Sequence, residues 1–451
     1  MEDNEITIKQ ALEIGVKAHN QGKLNEAETI YKNILDKAPS NTDALHLLGV
    51  IKHQLGNHKE AIEKITKAIQ LKSSAIYYGN LGMAYNALGK DEEAAESFKK
   101  ALEINPRYEK AYLAHYNLGI YFKDKGEILR ALEHYNKSIE LNDFPEAHWN
   151  KSLVLLLLGR FKEGWREYNY RFKKEKPSDN RVFLKPEWKG ELLKGKKILI
   201  LSEQGFGDNI QFIRYIPQVK EKRAYIILEC KKELIKLFKS LEIDDIVEKS
   251  KIIPNVEHDF YIHLMSLPGI FNTDLTSIPN NPYLKADKEL AEKFRAKLNS
   301  EKFKIGIVWT GNPQQENDKT RSTTFEKFKT LKIPGVELFS LQIWNASKQL
   351  DSQYTVDLSN EINDFADTAA IIENLDLIIS VDTSVAHLTG AMGKPVWTLL
   401  SFIPDWRYML ERKDCPWYPS MKLFRQKSPG DWSSVFEEVK KELETLVKNR
   451  S

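Results

Sequence analysis

Apolar residues in the first third of the chain recur with helical spacing, and the helices that they predict recur in pairs. Gly15, Gly49, Gly82 and Gly119 are separated by 34, 33 and 37 residues. Small, aliphatic and aromatic residues follow these glycines at matching offsets: Ala27, Tyr31, Ala61, Ile65, Ala68, Tyr85, Ala94, Phe98, Ala101, Phe122, Ala131 and Tyr135. Each unit therefore predicts two amphipathic helices joined by a glycine-containing turn.

Four such units resemble the tetratricopeptide (TPR) repeat and predict an all-α solenoid. A fifth, divergent unit ends near residue 172, so the repeat region is predicted to cover residues 1–172. Trp165, Tyr168 and Tyr170 of that unit are expected to contact the domain that follows. Since TPR arrays bind proteins or peptides, we expect a protein or peptide partner, with a spacer or dimerisation module as the alternative.

Three asparagines are candidates for a protein-acceptor groove. Asn80 and Asn117 each precede a repeat glycine by two residues, and Asn150 has a comparable place in the last unit. Amides on inner helices can hydrogen-bond a peptide backbone. A solvent-exposed polar helix face is the alternative, and the spacing leaves both open.

Strand-like apolar runs follow a charged segment, residues 173–196, which predicts an exposed linker. The predicted strands are 197–202, 224–230, 260–264, 305–309, 336–342, 354–358, 377–381 and 396–400. Strands that alternate with helices are typical of parallel sheets in an α/β fold. We predict two Rossmann-like lobes, residues 197–300 and 301–432, with ligands at the carboxyl ends of the strands. Residues 433–451 predict an amphipathic helix that docks back on the first lobe.

Composition narrows the function classes. The 451 residues are 41% hydrophobic and have a formal net charge of +3, and the lysines are dispersed, so nucleic-acid binding is not expected. Cys230 and Cys415 form neither a disulfide framework nor a zinc pattern, and no metal site is expected. The acidic N-terminus lacks a signal-peptide core, and the apolar run 153–158 is too short to span a bilayer. We therefore expect a cytoplasmic protein with no membrane span.

The segment 377–388 predicts a strand that stops at Asp382 and a helix that begins at Thr383 or Ser384. Free N–H groups and the helix dipole at such a junction suit a phosphate. The two hydroxyls can cap the helix or bind phosphate oxygen. His387, one turn further, is a candidate to bind phosphate, to orient the donor or to satisfy a buried hydrogen bond. An ordinary junction with a capping hydroxyl is the alternative.

The first strand of the α/β region is followed by Gly205, Gly207 and Asp208. Two glycines permit a tight turn and close approach of a ligand, although their spacing is not that of a dinucleotide-binding motif. Asp208 falls at the start of the next helix. It serves there either as a helix cap or as a general base.

The second lobe supplies further candidates. Lys319 and Arg321 follow a strand and can neutralise a diphosphate leaving group, with a solvated basic loop as the alternative. Gln342 ends the next strand, where its backbone and amide can read a base or ribose. The aromatic and proline-rich segments 404–407 and 415–419 are interpreted as a rigid cleft wall or as an aromatic core.

These motifs together resemble glycosyltransferases of the heptosyltransferase type (glycosyltransferase family 9), in the bacterial branch where TPR repeats precede that domain. The resemblance rests on Glu203–Asp208, Asn317–Ser322, Asp364–Ala369, Asp382–His387, Pro404–Arg407 and Arg425–Gln426. It implies a GT-B fold, with residues 197–300 on the acceptor side and residues 301–432 on the nucleotide-sugar side. It also implies an inverting, metal-independent transfer from a nucleotide-sugar, without a further cofactor. By the same resemblance Asp208 is the base, and Asp382–His387 binds phosphate with Ser384 in place of the family's glycine. Lys319 or Arg321 is the cation for the diphosphate.

The plan of repeats before such a domain is also similar to protein O-glycosyltransferases. We therefore predict an enzyme that moves a sugar from a nucleotide-sugar to a Ser or Thr hydroxyl of a protein acceptor recruited by the repeats. Two alternatives remain: transfer onto lipopolysaccharide or another glycan, and a non-catalytic TPR scaffold with a vestigial GT-B domain.

Overall fold

The computed structural model describes residues 6–315 and 318–449, except the side chains of Trp344 and Asn345. Asn317, which belongs to one of the motifs above, lies outside the described residues. The chain forms two compact units, Met1–Lys151 and Ser152–Ser451. The domain limits drawn from the sequence stay predictions.

Consecutive helix pairs make up the first unit. Its helices are α1 (Ile8–Asn20), α2 (Leu24–Lys37), α3 (Thr42–Gln54), α4 (His58–Leu71), α5 (Ala75–Ala87), α6 (Asp91–Ile104), α7 (Ala111–Asp124), α8 (Ile128–Leu141) and the start of α9 (Pro145–Leu157). Thr7 and Gln10 form a capping box at the start of α1, and Asn41 caps α3, as the residue types predict. The predicted helix pairs are confirmed.

Each repeat glycine lies beneath a side chain sixteen residues further along the chain. The pairs are Gly15–Tyr31, Gly49–Ile65, Gly82–Phe98 and Gly119–Tyr135. A Cβ atom at any of these glycines would lie within 3 Å of its partner. Because a packed interior leaves no room for that atom, the glycine spacing reflects the close approach of the two helices in each pair.

The second unit contains two separate sheets. The first has the order β3-β2-β1-β4 and is parallel throughout. Its strands are β1 (Lys197–Leu201), β2 (Tyr225–Cys230), β3 (Asp245–Glu248) and β4 (Phe260–His263). The second sheet has the order β10-β11-β9-β8-β5-β6-β7, and its neighbours are parallel except for the antiparallel pair β10–β11. Its strands are β5 (Phe303–Val308), β6 (Val336–Ser340), β7 (Thr355–Asp357), β8 (Leu377–Val381), β9 (Val396–Leu400), β10 (Asp414–Cys415) and β11 (Tyr418–Arg425).

Helices alternate with these strands, so the predicted α/β region with parallel sheets is confirmed. The helices between strands are α11 (Phe206–Phe212), α12 (Ile216–Glu221), α13 (Lys232–Phe238), α14 (Leu267–Ile270), α15 (Lys288–Lys297), α16 (Asp318–Arg321), α17 (Phe325–Phe328), α18 (Phe365–Glu373) and α19 (Ser384–Ala391). Helix α10 (Phe161–Tyr168) precedes the first strand, and α20 (Trp432–Lys448) follows the last. The sequence did not predict β3, β10 or β11. Pro419 lies in β11, and a proline argues against a strand in a sequence. It precedes residues 421–425, which pair with β9, so its missing N–H breaks no hydrogen bond between these two strands.

The C-terminal helix α20 packs on the seven-stranded sheet. Its buried residues share one core with the strands of that sheet; they are Trp432, Val435, Phe436, Val439 and Leu443. The prediction that this helix docks back on the first lobe was wrong. An apolar stripe predicts that a helix face is buried, but it does not specify the sheet that covers it.

Part of the predicted exposed linker is buried in the second unit. Trp188 and Leu193 are buried, and the Trp188 N–H donates to the Tyr261 carbonyl at 2.8 Å. Arg181 forms an ion pair with Glu229 at 2.6 Å. The prediction of an exposed segment was wrong for these residues, because the surrounding charges hid two apolar anchors and a buried ion pair.

None of the helices described here is long and apolar enough to cross a membrane.

Candidate functional site

Asp208 lies in the first turn of α11, close to the carboxyl end of β1. Its Oδ2 atom accepts a hydrogen bond from the N–H of Gly205, the N-cap residue of α11, at 2.9 Å. Asp208 is thus the third residue of the helix, and its carboxylate satisfies the backbone of the N-cap residue, as in a capping box. A Cβ atom at Gly205 would lie 3.0 Å from the same oxygen. Gly205 therefore lets the carboxylate approach the backbone.

Arg407 binds the other oxygen of this carboxylate. Its Nη2 donates to Asp208 Oδ1 at 2.5 Å, its Nη1 donates to Asp405 Oδ1 at 2.8 Å, and its Nε donates to Gln211 Oε1. The side chains of Arg407 and Asp208 are 8% and 19% exposed. Burial raises the pKa of Asp208 above its ordinary value, although Arg407 acts against that rise. A carboxylate with a raised pKa is a stronger proton acceptor than an ordinary aspartate.

The N-terminus of α19 lies at the carboxyl end of β8. The helix begins at Ser384, as predicted, and Thr383 occupies the N-cap position with an extended backbone. The Thr383 side chain makes no capping hydrogen bond, and its Oγ1 lies 2.9 Å from Ser380 Oγ. Capping, one of the two roles considered for this hydroxyl, is therefore not observed, and the hydroxyl does not occupy the N–H groups of the first turn, which can bind an anion.

His387 is buried one turn further along α19. Its Nδ1 lies 3.1 Å from the Tyr418 hydroxyl, and its Nε2 lies 3.7 Å from Asp382 Oδ1. Burial lowers the pKa of His387 to about 3, and Arg407 acts in the same direction. The imidazole is therefore neutral near pH 7 and adds no positive charge for a phosphate. Of the three roles considered, the geometry matches a buried hydrogen-bonding group.

Gly207 allows α11 and α19 to pack closely. A Cβ atom at Gly207 would lie 2.8 Å from His387 Cδ2 and 3.6 Å from Ser384 Cα. Helix packing therefore explains this glycine, which the sequence assigned to ligand contact. Asp208 is the residue of α11 that directly follows this contact.

Tyr408 connects the neighbouring turn to Asp382. Its hydroxyl donates to Asp382 Oδ1 at 2.6 Å. Burial, followed by the charge of Asp382, raises the pKa of Tyr408 well above its usual value. Segment 405–408 thus contacts α11 through Arg407 and the β8–α19 junction through Tyr408.

Lys319 and Arg321 lie on the short helix α16, after β5. Lys319 is exposed. Arg321 Nε lies 3.3 Å from Asp318 Oδ1, and Arg321 Nη2 donates to Gln315 Oε1 at 2.5 Å. The charge of Arg321 contributes less to the lowered pKa of His387 than burial and the charges of Arg407 and Arg214 do.

Gln342 is buried at the end of β6, and its amide is used inside the protein. Its Oε1 accepts hydrogen bonds from the N–H groups of Trp309 and Thr310 at 3.1 and 3.0 Å. Its Nε2 donates to the Ile343 carbonyl at 3.2 Å. These bonds fix the loop after β5 and occupy the amide that was predicted to read a base or ribose.

A fully buried ion pair holds the loop that leads to Asp208. Arg171 Nε and Nη2 donate to the Glu203 carboxylate at 2.9 and 2.7 Å, and both side chains are 0% exposed. Arg171 Nη2 also donates to Ser266 Oγ at 2.8 Å. Arg171 belongs to the 3₁₀ turn 169–172 that follows α10, so the end of the predicted fifth repeat is bonded to the candidate catalytic loop.

Sequence reasoning missed this pair, because nothing local relates two charges that are 32 residues apart. Sequence reasoning also treated Arg407 only as part of the segment 404–407 and assigned no function to its side chain.

Aromatic rings fill the space behind this site. The ring centroids of Trp165 and Trp406 are 5.4 Å apart, and those of Trp406 and Trp417 are 5.7 Å apart. Trp165 also donates from Nε1 to the Thr273 carbonyl at 2.9 Å. The interpretation of the aromatic segments as a core is confirmed for these tryptophans, and the expected contact of Trp165 with the α/β region is confirmed as well.

The three candidate asparagines of the repeats bond to residues 34 positions earlier. The pairs are Asn80–His46, Asn117–Met83 and Asn150–Tyr116, with the amide nitrogen 2.7, 3.6 and 3.2 Å from its partner. All three asparagines are half-buried. They therefore link consecutive repeats and are not the freely exposed polar face of the alternative. Their contact with a peptide stays a prediction.

Among residues 6–315 and 318–449, no group of three or more His, Cys, Asp or Glu side chains is placed to hold a metal ion. Cys230 and Cys415 are free and buried.

The N-terminal region is an array of TPR repeats. Family models of the tetratricopeptide repeat match residues 13–76, 75–108 and 116–180, which confirms the repeats predicted there. The chain is thus a TPR-containing protein with a C-terminal α/β region of parallel sheets.

Protein FlbA of Caulobacter vibrioides is 26% identical to this chain over 440 residues, which are 89% of this chain and 72% of that protein. Protein O-mannosyl-transferase TMTC3 of Homo sapiens is 28% identical over 111 residues, which are 24% of this chain and 12% of that protein. The crystal structure of MamA covers 38% of this chain and 92% of its own, with 27% identity and a TM-score of 0.32.

Proposed function

We propose that this chain is an inverting, metal-independent glycosyltransferase with a GT-B fold. It moves a sugar from a nucleotide-sugar to a Ser or Thr hydroxyl of a protein acceptor that the TPR repeats recruit. The observation that carries the proposal is the close packing of α11 on α19, around Gly207. This packing supports a base at Asp208 next to a phosphate site at Thr383 and Ser384.

In the proposed reaction, Asp208 removes the proton of the acceptor hydroxyl. The hydroxyl oxygen attacks the anomeric carbon from the face opposite the phosphate and forms the new glycosidic bond. The bond from that carbon to the phosphate oxygen breaks, and the nucleotide leaves with the electron pair, so the anomeric configuration inverts. The N–H groups at the start of α19, together with Arg321 and Lys319, stabilise the charge on the leaving group.

The surroundings of Asp208 suit the role of a base. Each carboxylate oxygen receives one hydrogen bond from the protein, from Gly205 N–H and from Arg407 Nη2. An ionised carboxylate has about four acceptor positions, so it can still accept the proton of a substrate hydroxyl.

Donor binding is tested first, by thermal unfolding of the full chain with UDP-, GDP-, ADP-, CMP- and dTDP-sugars. A ligand that binds only the folded state stabilises it by about 2.7 kcal/mol at a hundred times its Kd. We expect one nucleotide to raise the unfolding midpoint and Thr383→Val to weaken that shift. Thr389→Val is the matched control, because the Thr389 hydroxyl bonds within α19 to the Val385 carbonyl at 2.7 Å. Absence of a shift with every sugar nucleotide would contradict the donor site and favour the scaffold.

Catalysis is tested with Asp208→Asn, which keeps the shape of the side chain and removes the base. We expect sugar transfer to a protein bound by the repeats, measured as the added mass of the acceptor, to fall by about 10²–10⁴-fold. Binding of that protein should not change. Transfer to a lipopolysaccharide or other glycan but to no protein would favour the second enzyme alternative, and full transfer by the variant would refute Asp208 as the base.

A further inference from the structure

Arg407 and Asp208 come from different sheets of the second unit. Arg407 follows β9 of the seven-stranded sheet, and Asp208 follows β1 of the four-stranded sheet. They are 199 positions apart in sequence, yet Arg407 Nη2 lies 2.5 Å from Asp208 Oδ1. The contact therefore depends on how the two sheets are placed against each other.

The guanidinium of Arg407 is fixed on all sides. Asp405, Asp208 and Gln211 accept from its three nitrogen groups. Its central carbon lies 4.5 Å from the ring centroid of Trp406 and 5.6 Å from that of Phe212. A planar fork with that many partners orients a carboxylate in a way that a single ammonium group cannot.

The turn that contains Arg407, residues 405–408, also contacts the strand end that precedes the candidate phosphate site. Tyr408, next to Arg407, donates to Asp382 at the end of β8. Met409 then has a φ of 57°, a backbone region that residues with a side chain seldom adopt. A strained residue of this kind persists where its surroundings over-determine the conformation, and here the turn is bonded to both α11 and the β8–α19 junction.

We propose that Arg407 is a positioning residue for Asp208, and that the turn 405–408 sets the place of the base relative to the N-terminus of α19. This inference rests on the proposed function. Arg407 holds one carboxylate oxygen while Gly205 N–H holds the other, so the remaining acceptor positions of Asp208 keep a fixed direction toward the acceptor hydroxyl. The base is then in place only when the two sheets are closed on each other.

The kinetic test compares the full-length protein with Arg407→Gln and Arg407→Lys, with Arg295→Gln on the exposed surface of α15 as the matched control. Loss of the arginine leaves Asp208 buried without its counter-charge, so its pKa rises. We expect the acidic limb of the plot of kcat/KM against pH to move to higher pH by about 1–3 units in Arg407→Gln. We also expect kcat to fall by a larger factor than KM changes. Arg407→Lys should restore the limb but only part of kcat. An unmoved limb with unchanged kcat would overturn the proposal.

A second measurement does not depend on turnover. Urea unfolding midpoints are compared for wild type, Asp208→Asn, Arg407→Gln and the double variant. We expect the midpoint shift of the double variant to be smaller than the sum of the single shifts, as for residues in direct contact. Additive shifts would overturn the inference. If the shifts are non-additive but the wild-type protein neither binds a sugar nucleotide nor transfers a sugar, the proposed function is refuted, while the pairing of Arg407 with Asp208 is retained.

Discussion

Breaking the buried ion pair between Arg171 and Glu203 should destabilise the second unit strongly and disturb the loop that carries Asp208. Both side chains are fully buried, and the guanidinium donates two hydrogen bonds to the carboxylate. Removal of one partner leaves a charge in a place that water does not reach. The pair thus offers a test of whether the end of the repeat region is bonded to the candidate catalytic loop.

The loss in free energy of unfolding depends on which buried group each variant leaves without its partner. Removing one partner of a buried ion pair costs about 3–5 kcal/mol. Glu203→Gln should lie at the lower end, because Arg171 keeps its bonds to Ser266 Oγ and to the Tyr168 carbonyl. Arg171→Met leaves the carboxylate without its two donated bonds and should lie at the upper end. The double variant should cost less than the sum of the two.

Urea unfolding monitored by tryptophan fluorescence is the assay. Eight of the nine tryptophans lie within residues 152–451, so the signal reports mainly on the second unit. With a slope of about 3 kcal/mol/M, a loss of 3–5 kcal/mol lowers the unfolding midpoint by roughly 1–1.7 M. Donor binding and sugar transfer are measured at urea concentrations below the midpoint of the variant, where the variant and the wild type are both folded.

Glu292→Gln is the control, since the Arg295–Glu292 pair is 70% and 72% exposed and should contribute at most about 1 kcal/mol. The reasoning is refuted if both buried single variants cost less than about 1 kcal/mol, or if their costs add in the double variant.

Three further outcomes follow from the packing and the charges. Gly207→Ala places a methyl group against His387 and should destabilise the second unit by about 1–3 kcal/mol, seen as a lower urea midpoint; an unchanged midpoint would contradict the close packing of α11 and α19. The unfolded chain protonates His387 near pH 6.5, whereas the folded chain protonates it only near 3. The free energy of unfolding of the wild type should therefore fall by up to about 1.4 kcal/mol for each pH unit as the pH is lowered between those two values. His387→Gln should remove that part of the slope, and equal slopes in the two proteins would refute the buried neutral imidazole. Asn117→Ala removes the bonds to Asn86 and Met83 of the preceding repeat and to Leu113 of its own helix. It should lower the stability of the repeat array by about 1 kcal/mol, measured by far-UV circular dichroism, whereas no change would argue that the amide does not link the repeats.

The repeat array was predictable because its signals are local. A glycine and the side chain that packs on it lie sixteen residues apart within one helix pair, so the same pattern recurs wherever the pair recurs. The buried strands were predictable for a similar reason, since β8 and β9 are predominantly apolar runs whose limits agree with the prediction. The junction at Asp382 followed from the end of such a run.

The candidate site was predicted only in part. Gly207, which precedes Asp208, does lie against Ser384 and His387, because α11 packs on α19. Spacing did not show that Gln342 would turn its amide toward the loop after β5, or that Gly207 would serve helix packing. A residue type restricts the roles that a side chain can take, and the neighbours decide which role it has.

By itself, then, the sequence determined the elements that depend on periodicity: paired helices at a TPR spacing, followed by alternating strands and helices. Tertiary structure decided which sheet covers α20, which charges are paired in the interior, and which arginine reaches Asp208. The physical reason is the range of the interactions. Helix and strand patterns are set by residues that are close in the sequence, whereas the contact between Arg407 and Asp208 joins positions 199 residues apart and forms only when the two sheets are packed together.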